Sequence, residues 1–148
     1  FNKRGLMVPA SEPYRMTLTG IKREFGTVNH ARRNIFDGLQ AGVSNLFAAG
    51  VERIILGGSF ISLKDEPKDS DVGWWYHEEV NLRVLDPVFI SGKRREPLGK
   101  YLMDCKIDGI MDLAFEDSRE CYLTRNTRET DPKFQAVGTV LIVRGRES

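Results

Sequence analysis

The sequence predicts a single small α/β domain, in which a mixed, twisted sheet carries helices on one face. A long amphipathic segment, residues 30–49, ends at Gly50 and leads directly into an apolar run at 51–56. That run is short and rich in β-branched residues, which is typical of a buried strand. A second apolar run at 71–76 and a third at 137–143 predict further strands, and the third is too apolar for a sheet edge.

Length and composition are those of one ordinary globular domain. The chain has 148 residues, of which 41% are apolar and 29% are charged. Its 22 lysine and arginine residues nearly balance its 21 acidic residues, so charge does not indicate a nucleic-acid or membrane surface. No apolar run approaches the roughly 18 residues that a membrane-spanning helix needs. We therefore expect a cytoplasmic protein with no membrane partner, in which Cys105 and Cys121 are reduced thiols.

The N-terminal part divides into an arm and the start of the domain. Residues 1–16 contain two prolines and little periodicity, which predicts an extended arm, and residues 17–148 form the domain. Thr17 or Thr19 is a suitable cap for a short helix that runs to Phe25.

The longest helix is predicted to follow Asn29, whose side chain is a suitable N-cap. Apolar residues recur at steps of three and four, so that one stripe faces the sheet. The residues of this stripe are Ile35, Leu39, Val43, Leu46 and Phe47. Arg32 falls outside the stripe, and we expect it to face water.

The second half of the chain gives weaker signals. Val88 to Ile90, after Pro87, is predicted to be extended. A helix is predicted over 98–104, and alternating apolar and polar residues over 106–114 predict another strand.

Between the first two strands lies a pattern suited to a metal-bound phosphate chain. Gly57, Gly58 and Ser59 follow the first strand, and their small side chains let the backbone approach a phosphate closely. Asp69 and Asp71 stand at the start of the next strand, and carboxylates supply the hard oxygen ligands that Mg²⁺ prefers. The sequence Asp-Ser-Asp is also favoured in turns, so a purely structural role for Asp71 is an alternative.

This pattern resembles the nucleotidyltransferases of the polymerase-beta type. In that superfamily a Gly-Ser pair follows the first strand, and two alternating carboxylates follow on the next, as in SDIDL. Gly58-Ser59 and the segment SDVGW at 70–74 are similar to these motifs. The resemblance gives Asp71 the place of the first metal-binding aspartate and leaves Gly73 at the second. Alternatively, Asp69 and Asp71 are the alternating pair, displaced by two residues.

The whole chain is also similar to a family of small bacterial proteins with the same core and no settled activity. The similar segments are REFG at 23–26, GGSF at 57–60 and LDPVF at 85–89.

The superfamily resemblance implies a metal-dependent enzyme that moves a nucleoside monophosphate from an NTP to a protein or RNA hydroxyl. It implies Mg²⁺ as the cofactor and a third carboxylate on a neighbouring strand, for which Asp108 is the candidate and Asp112 the alternative. Lys64 and Lys68 lie in the connection that borders the site, where they would contact the triphosphate.

Glycine at position 73 supports a second hypothesis of another class. A nucleotidyltransferase fold that lacks one ligand would serve as a binding or regulatory module. Its partner would be a protein encoded nearby, as in a toxin–antitoxin or phage-defence pair.

Overall fold

The structure is a computed structural model that describes residues 13–107 and 139–145. Within these residues the chain forms the predicted α/β fold, with one mixed five-stranded sheet and three α-helices. The strands are β1 (Tyr14–Met16), β2 (Ile54–Gly57), β3 (Ser70–Trp74), β4 (Met103–Ile107) and β5 (Val140–Ile142). The helices are α1 (Leu18–Phe25), α2 (His30–Ala48) and α3 (Arg95–Tyr101). None of the helices in the described ranges is long and apolar enough to cross a membrane.

Side-chain caps define the starts of the first two helices, as the sequence predicts. The Thr17 hydroxyl accepts a hydrogen bond of 3.1 Å from the Gly20 N–H at the start of α1. The Asn29 side chain accepts one of 2.9 Å from the Arg32 N–H at the start of α2. Helix α1 ends at Phe25, as predicted, and Gly26 is its C-cap.

The apolar stripe of α2 is buried, which confirms the predicted core face. All five of its residues belong to a single hydrophobic cluster that includes the sheet. Complete burial of one such side chain contributes about 1.5–3 kcal/mol, so this stripe is a major part of what holds the helix on the sheet.

The sheet has the strand order β1-β5-β2-β3-β4. Strand β1 is parallel to β5 and β3 is parallel to β4, whereas β2 is antiparallel to both of its neighbours. The interior position of β5 agrees with its apolar sequence. Tyr14–Met16, at the end of the predicted arm, add an outer strand to the sheet.

The two faces of the sheet have different roles. The hydrophobic cluster takes Ile54 and Leu56 from β2 and Val72 and Trp74 from β3. Side chains alternate along a strand, so Asp71, which directly precedes Val72, points to the face of the sheet opposite the helices. The polar pattern found in the sequence therefore lies on the face away from the hydrophobic core.

The segment before α3 differs from the prediction. Pro87–Ile90 is a 3₁₀ helix and not an extended segment. Its N-cap is Asp86, whose carboxylate accepts a hydrogen bond of 3.1 Å from the Val88 N–H. The prediction failed because Asp-Pro starts a helical turn as readily as it ends a strand.

The boundary between α3 and β4 was also predicted wrongly. The helix ends at Tyr101, and Leu102 adopts a left-handed conformation with φ 52°. Met103 and Asp104, which were predicted to be helical, are the first two residues of β4. The part of the predicted strand from residue 108 onward lies outside the described residues.

Close packing between α2 and α3 positions the start of β4. A Cβ atom on Gly38 would lie 2.1 Å from the Tyr101 carbonyl oxygen, so the two helices approach at a distance that only glycine permits. The Tyr101 ring stacks on Phe89 at 5.3 Å, and its hydroxyl donates a hydrogen bond to Asp86. These contacts fix the chain directly before Asp104.

Candidate functional site

The Gly-Ser turn and the first strand aspartate lie side by side. Strands β2 and β3 are antiparallel neighbours, and Gly57 is the register partner of Asp71. The sequence predicted that these two strands share a sheet, and the structure confirms it. Both strands are shorter than predicted, because they span Ile54–Gly57 and Ser70–Trp74. Gly57, which was predicted to belong to the turn, is the last residue of β2.

Gly58 is required for the approach of the Asp71 carboxylate. Its φ is 77° and its ψ is −162°, a combination that is essentially confined to glycine. A Cβ atom at this position would lie 1.9 Å from Asp71 Oδ2. The carboxylate therefore packs directly against the turn, immediately before Ser59 begins a 3₁₀ helix of three residues.

Arg32 holds the chain that follows this turn, although the sequence predicted that it faces water. Its side chain is 3% exposed, and its guanidinium donates to four backbone carbonyl oxygens. The acceptors are Phe25 at 3.2 Å, Phe60 at 2.6 Å, Ser62 at 2.8 Å and Lys64. Three of these carbonyls belong to the segment after the turn, so Arg32 fixes the shape of that segment.

The structure places a third carboxylate at the site, on β4. Asp104 is the register partner of Asp71 on the parallel neighbouring strand, and both side chains lie on the same face. Asp104 is 8% exposed, and its carboxyl group lies close enough to that of Asp71 to accept a hydrogen bond from it when Asp71 is protonated. The sequence hypothesis placed this third acid at Asp108 or Asp112, both of which lie outside the described residues.

Burial and neighbouring charge raise the pKa values of two of these acids. Burial is the largest cause of the change that raises the pKa of Asp71 from 3.8 to about 7, followed by the charges of Asp69 and Asp104. The pKa of Asp69 is raised by burial first and then by the charge of Asp104. Like charges held together in a poorly solvated site favour either a proton or a cation between them.

Arginine and lysine side chains surround this acidic cluster of Asp69, Asp71 and Asp104. Arg94 binds Asp104 through two parallel contacts, Nε to Oδ1 and Nη2 to Oδ2, each 2.9 Å long. Lys64 and Lys68 are exposed, and both lie close enough to Asp69 to lower its pKa, although burial outweighs them. The structure therefore brings the two predicted lysines to the edge of the acidic cluster.

In the part of the chain that the structure describes, the acidic cluster is not a metal site made of protein ligands alone. Within residues 13–107 and 139–145, no group of three or more His, Cys, Asp or Glu side chains is arranged to hold a metal ion. Asp71 and Asp104 nevertheless meet as a pair of carboxylates. Mg²⁺ in nucleotide-dependent enzymes is usually bound through one or two carboxylates together with water and substrate phosphates. The pair fits that mode of binding better than it fits a metal site made of protein ligands alone.

Gly73 lies on the same face of β3, two residues beyond Asp71. It pairs with Ile55 on β2 and with Lys106 on β4. The neighbouring position across the sheet is thus a lysine, and glycine itself offers no side-chain ligand.

Sequence reasoning missed Asp104 because the helix before it ends without glycine. The signal was present, since MDCKI at 103–107 alternates between apolar and polar residues. The sequence did not reveal the boundary between α3 and β4, because helices usually end at glycine in the left-handed conformation. Leu102 adopts that conformation here, which is uncommon for a residue other than glycine.

Comparison with known proteins gives a family and no activity. No curated protein and no solved structure matches the chain. A family model does match, over residues 1–133, a range that contains the Gly-Ser turn and the whole acidic cluster. The chain belongs to DUF6932, a family of unknown function.

Proposed function

We propose that this protein is a metal-dependent nucleotidyltransferase that transfers a nucleoside monophosphate from an NTP to a hydroxyl group of a protein or RNA. The observation that carries the proposal is the pair of carboxylates, Asp71 and Asp104, which meet beside the Gly57–Ser59 turn. In addition, the cationic side chains of Lys64 and Lys68 lie at the edge of the same cluster. We expect this chemistry in the cytoplasm, where nucleoside triphosphates and Mg²⁺ are available together.

Each residue has a role in this scheme. The backbone around Gly58 and Ser59 binds phosphate oxygens, because no bulky side chain obstructs the turn. Lys64 and Lys68 offset the charge of the triphosphate. Asp71 and Asp104 bind Mg²⁺, which would stabilise the charge that develops on the attacking and leaving oxygens.

The reaction itself requires one proton acceptor. The acceptor hydroxyl oxygen forms a bond to the α-phosphorus, the bond from that phosphorus to the bridging oxygen breaks, and pyrophosphate leaves. Asp104 takes the place predicted for the third carboxylate and accepts the hydroxyl proton. Asp69 adds negative charge that favours cation binding at the cluster.

The test is incubation with each of the four α-labelled NTPs in the presence of Mg²⁺ or Mn²⁺. Total bacterial RNA and the protein itself serve as acceptors, and Asp71→Asn serves as the matched inactive variant. We expect label on one acceptor and release of pyrophosphate, both absent in the variant. If no nucleotide transfers its label, and calorimetry detects no NTP binding, the proposal is wrong.

The second candidate function is a catalytically inactive nucleotidyltransferase fold that acts as a binding or regulatory module. Two observations favour it: Gly73 offers no ligand, and Arg94 already contacts both carboxylate oxygens of Asp104. Its partner would be a protein encoded by an adjacent gene, as in a toxin–antitoxin or phage-defence pair. Co-purification of that product, together with NTP binding but no label transfer, would favour this function over catalysis.

A further inference from the structure

Beside the acidic cluster lies a cleft with a volume of about 260 Å³. It is bounded by the Pro87–Ile90 helix, the start of α3 and strand β4. Val88, Phe89 and Ile107 supply apolar walls. Ile107 and Phe89 also belong to or pack against the hydrophobic core, so these walls are held in place by the fold.

The rim of the cleft is positively charged. Lys93, Arg94 and Lys106 all line it, and none of the described residues that line it is acidic. The charge of Lys93 is only weakly compensated, because its contact with Glu96 is 4.0 Å long and lies at the surface. Apolar walls with a cationic rim are complementary to a molecule that combines an apolar group with a negative charge.

Arg94 connects this cleft to the acidic cluster. Arg94 is one of the residues that line the cleft, and its guanidinium contacts both oxygens of Asp104. The Arg94 side chain is 62% exposed, whereas that of Asp104 is 11% exposed. The Arg94 side chain therefore keeps a large exposed surface while its guanidinium contacts the carboxylate.

We propose that the cleft binds a small organic anion, in which a ring-sized apolar group carries a phosphate or a carboxylate. The apolar group lies against Val88, Phe89 and Ile107, and the anionic group contacts Arg94 at the rim. The volume is below the roughly 300–1,000 Å³ of sites for drug-sized ligands, which favours a single ring over a complete nucleoside triphosphate. This binding needs neither Mg²⁺ nor the Gly57–Ser59 turn.

The test is calorimetry with phenyl phosphate and benzoate, carried out in EDTA so that metal-dependent nucleotide binding does not contribute. Phenol is the neutral probe, and inorganic phosphate tests the anion without a ring. We expect one or both ring-bearing anions to bind, and phenol and phosphate to bind at least tenfold more weakly. The two ring-bearing probes also decide between phosphate and carboxylate as the natural anionic group.

Four variants locate the binding site. Arg94→Gln should weaken binding at least tenfold, whereas Arg95→Gln, at the adjacent exposed position, should change it by less than twofold. Arg94→Lys replaces Arg94→Gln if the glutamine variant does not fold. Its loss of anion affinity should be intermediate, because lysine keeps the charge but cannot make two parallel hydrogen bonds. Val88→Trp should block binding by filling the cleft.

The inference fails if neither ring-bearing anion binds at millimolar concentration. It also fails if Arg94→Gln and Val88→Trp, correctly folded, bind as the unchanged protein does. Asp71→Asn keeps all the residues of the cleft and should bind the anion normally. Loss of nucleotidyl transfer and loss of anion binding are thus separate results.

Discussion

Asp71 and Asp104 are register partners on the parallel strands β3 and β4, where a protonated Asp71 can donate a hydrogen bond to the Asp104 carboxylate. Strand pairing holds the backbones of the two residues side by side, so repulsion between the carboxylates cannot be relieved by separating the strands. Gly57 and Gly58 lie on the other side of Asp71, where the turn leaves space for its carboxylate. The two carboxylates repel each other in this poorly solvated position, and a bound proton or divalent cation reduces that repulsion.

The first prediction concerns this pair. Asp71→Asn and Asp104→Asn should each weaken Mg²⁺-dependent ATP binding at least tenfold, because each removes one charged oxygen ligand. Asp65→Asn, an exposed acid in the connection before β3, is the control and should bind normally. Calorimetric titration with ATP and Mg²⁺ measures the change. Unaltered binding by a folded Asp71→Asn variant would leave Asp71 with a structural role only.

A second prediction separates the two placements of the acidic pair. If Asp69 and Asp71 together bind the metal, Asp69→Asn should weaken binding as much as Asp71→Asn does. If Asp71 takes the first position alone, Asp69→Asn should have a smaller effect, and Gly73→Asp should strengthen Mg²⁺ binding by restoring the alternating acid. Gly73 lies within β3, paired on both sides, and is not among the described glycines with positive φ, so an aspartate there meets no left-handed strain. The same calorimetric titrations measure both variants.

A third prediction follows from the pKa of Asp71, which burial and the two neighbouring acids raise to about 7. Between about pH 4 and pH 7 the folded protein retains a proton that the unfolded chain has released. The proton retained by Asp71 therefore makes the free energy of unfolding fall as pH rises through this range. Above about pH 7 this effect levels off. The change in the pKa of Asp71 from 3.8 to about 7 corresponds to at most about 4 kcal/mol in the free energy of unfolding. The partial exposure of Asp71 reduces that figure.

Urea unfolding in EDTA at a series of pH values measures this effect. The Asp71→Asn variant should lose this part of the pH dependence, because an amide does not titrate. Added Mg²⁺ should stabilise the unchanged protein more at about pH 8 than at about pH 5, where the bound proton competes with it. Identical pH profiles for the variant and the unchanged protein would show that Asp71 does not titrate in this range.

A fourth prediction concerns Gly58. Gly58→Ala should lower the free energy of unfolding by about 1–3 kcal/mol through backbone strain, and it should also displace the Asp71 carboxylate. Gly92→Ala is the matched control, because Gly92 has φ 76° and a Cβ atom there meets nothing within 4 Å. Gly92→Ala should therefore cost stability but leave ATP binding intact. Equal losses of ATP binding in the two variants would argue against a specific contact between Gly58 and Asp71.

A fifth prediction concerns Arg32. Arg32→Met keeps the apolar stem but leaves four carbonyl groups without their guanidinium donor, and should lower the free energy of unfolding by about 3 kcal/mol or more. Arg33→Met, at the adjacent exposed position, should change it by no more than about 0.5 kcal/mol. Urea unfolding measures both. Hydrogen exchange should also accelerate at the Ser62 and Lys64 amides in Arg32→Met, and unchanged exchange would contradict the role assigned to Arg32.

Local patterns in the sequence were sufficient for much of the fold. The Asn29 cap, the buried stripe of α2 and the interior position of β5 each follow from residue type and spacing over a few positions. For α1 the sequence left Thr17 and Thr19 as alternative caps, and the structure selects Thr17. The Gly57–Ser59 turn was also recognisable, because glycine and serine directly after an apolar run indicate where a strand ends. These features depend on contacts close in sequence or on a single periodic face.

Two features at the site depend on contacts that are distant in sequence, and only the tertiary structure decided them. Arg32 was assigned to the solvent because its position on α2 is polar, but the segment 60–64 folds over it and supplies the carbonyl acceptors that make its burial favourable. Asp104 was assigned to a helix because α3 ends at Tyr101 and is followed by a left-handed leucine, Leu102, where a glycine would have marked the end. The parallel pairing of β4 with β3 then places Asp104 opposite Asp71, 33 positions earlier in the chain. A sequence pattern specifies the turn and the first aspartate, whereas strand register determines which second carboxylate reaches them.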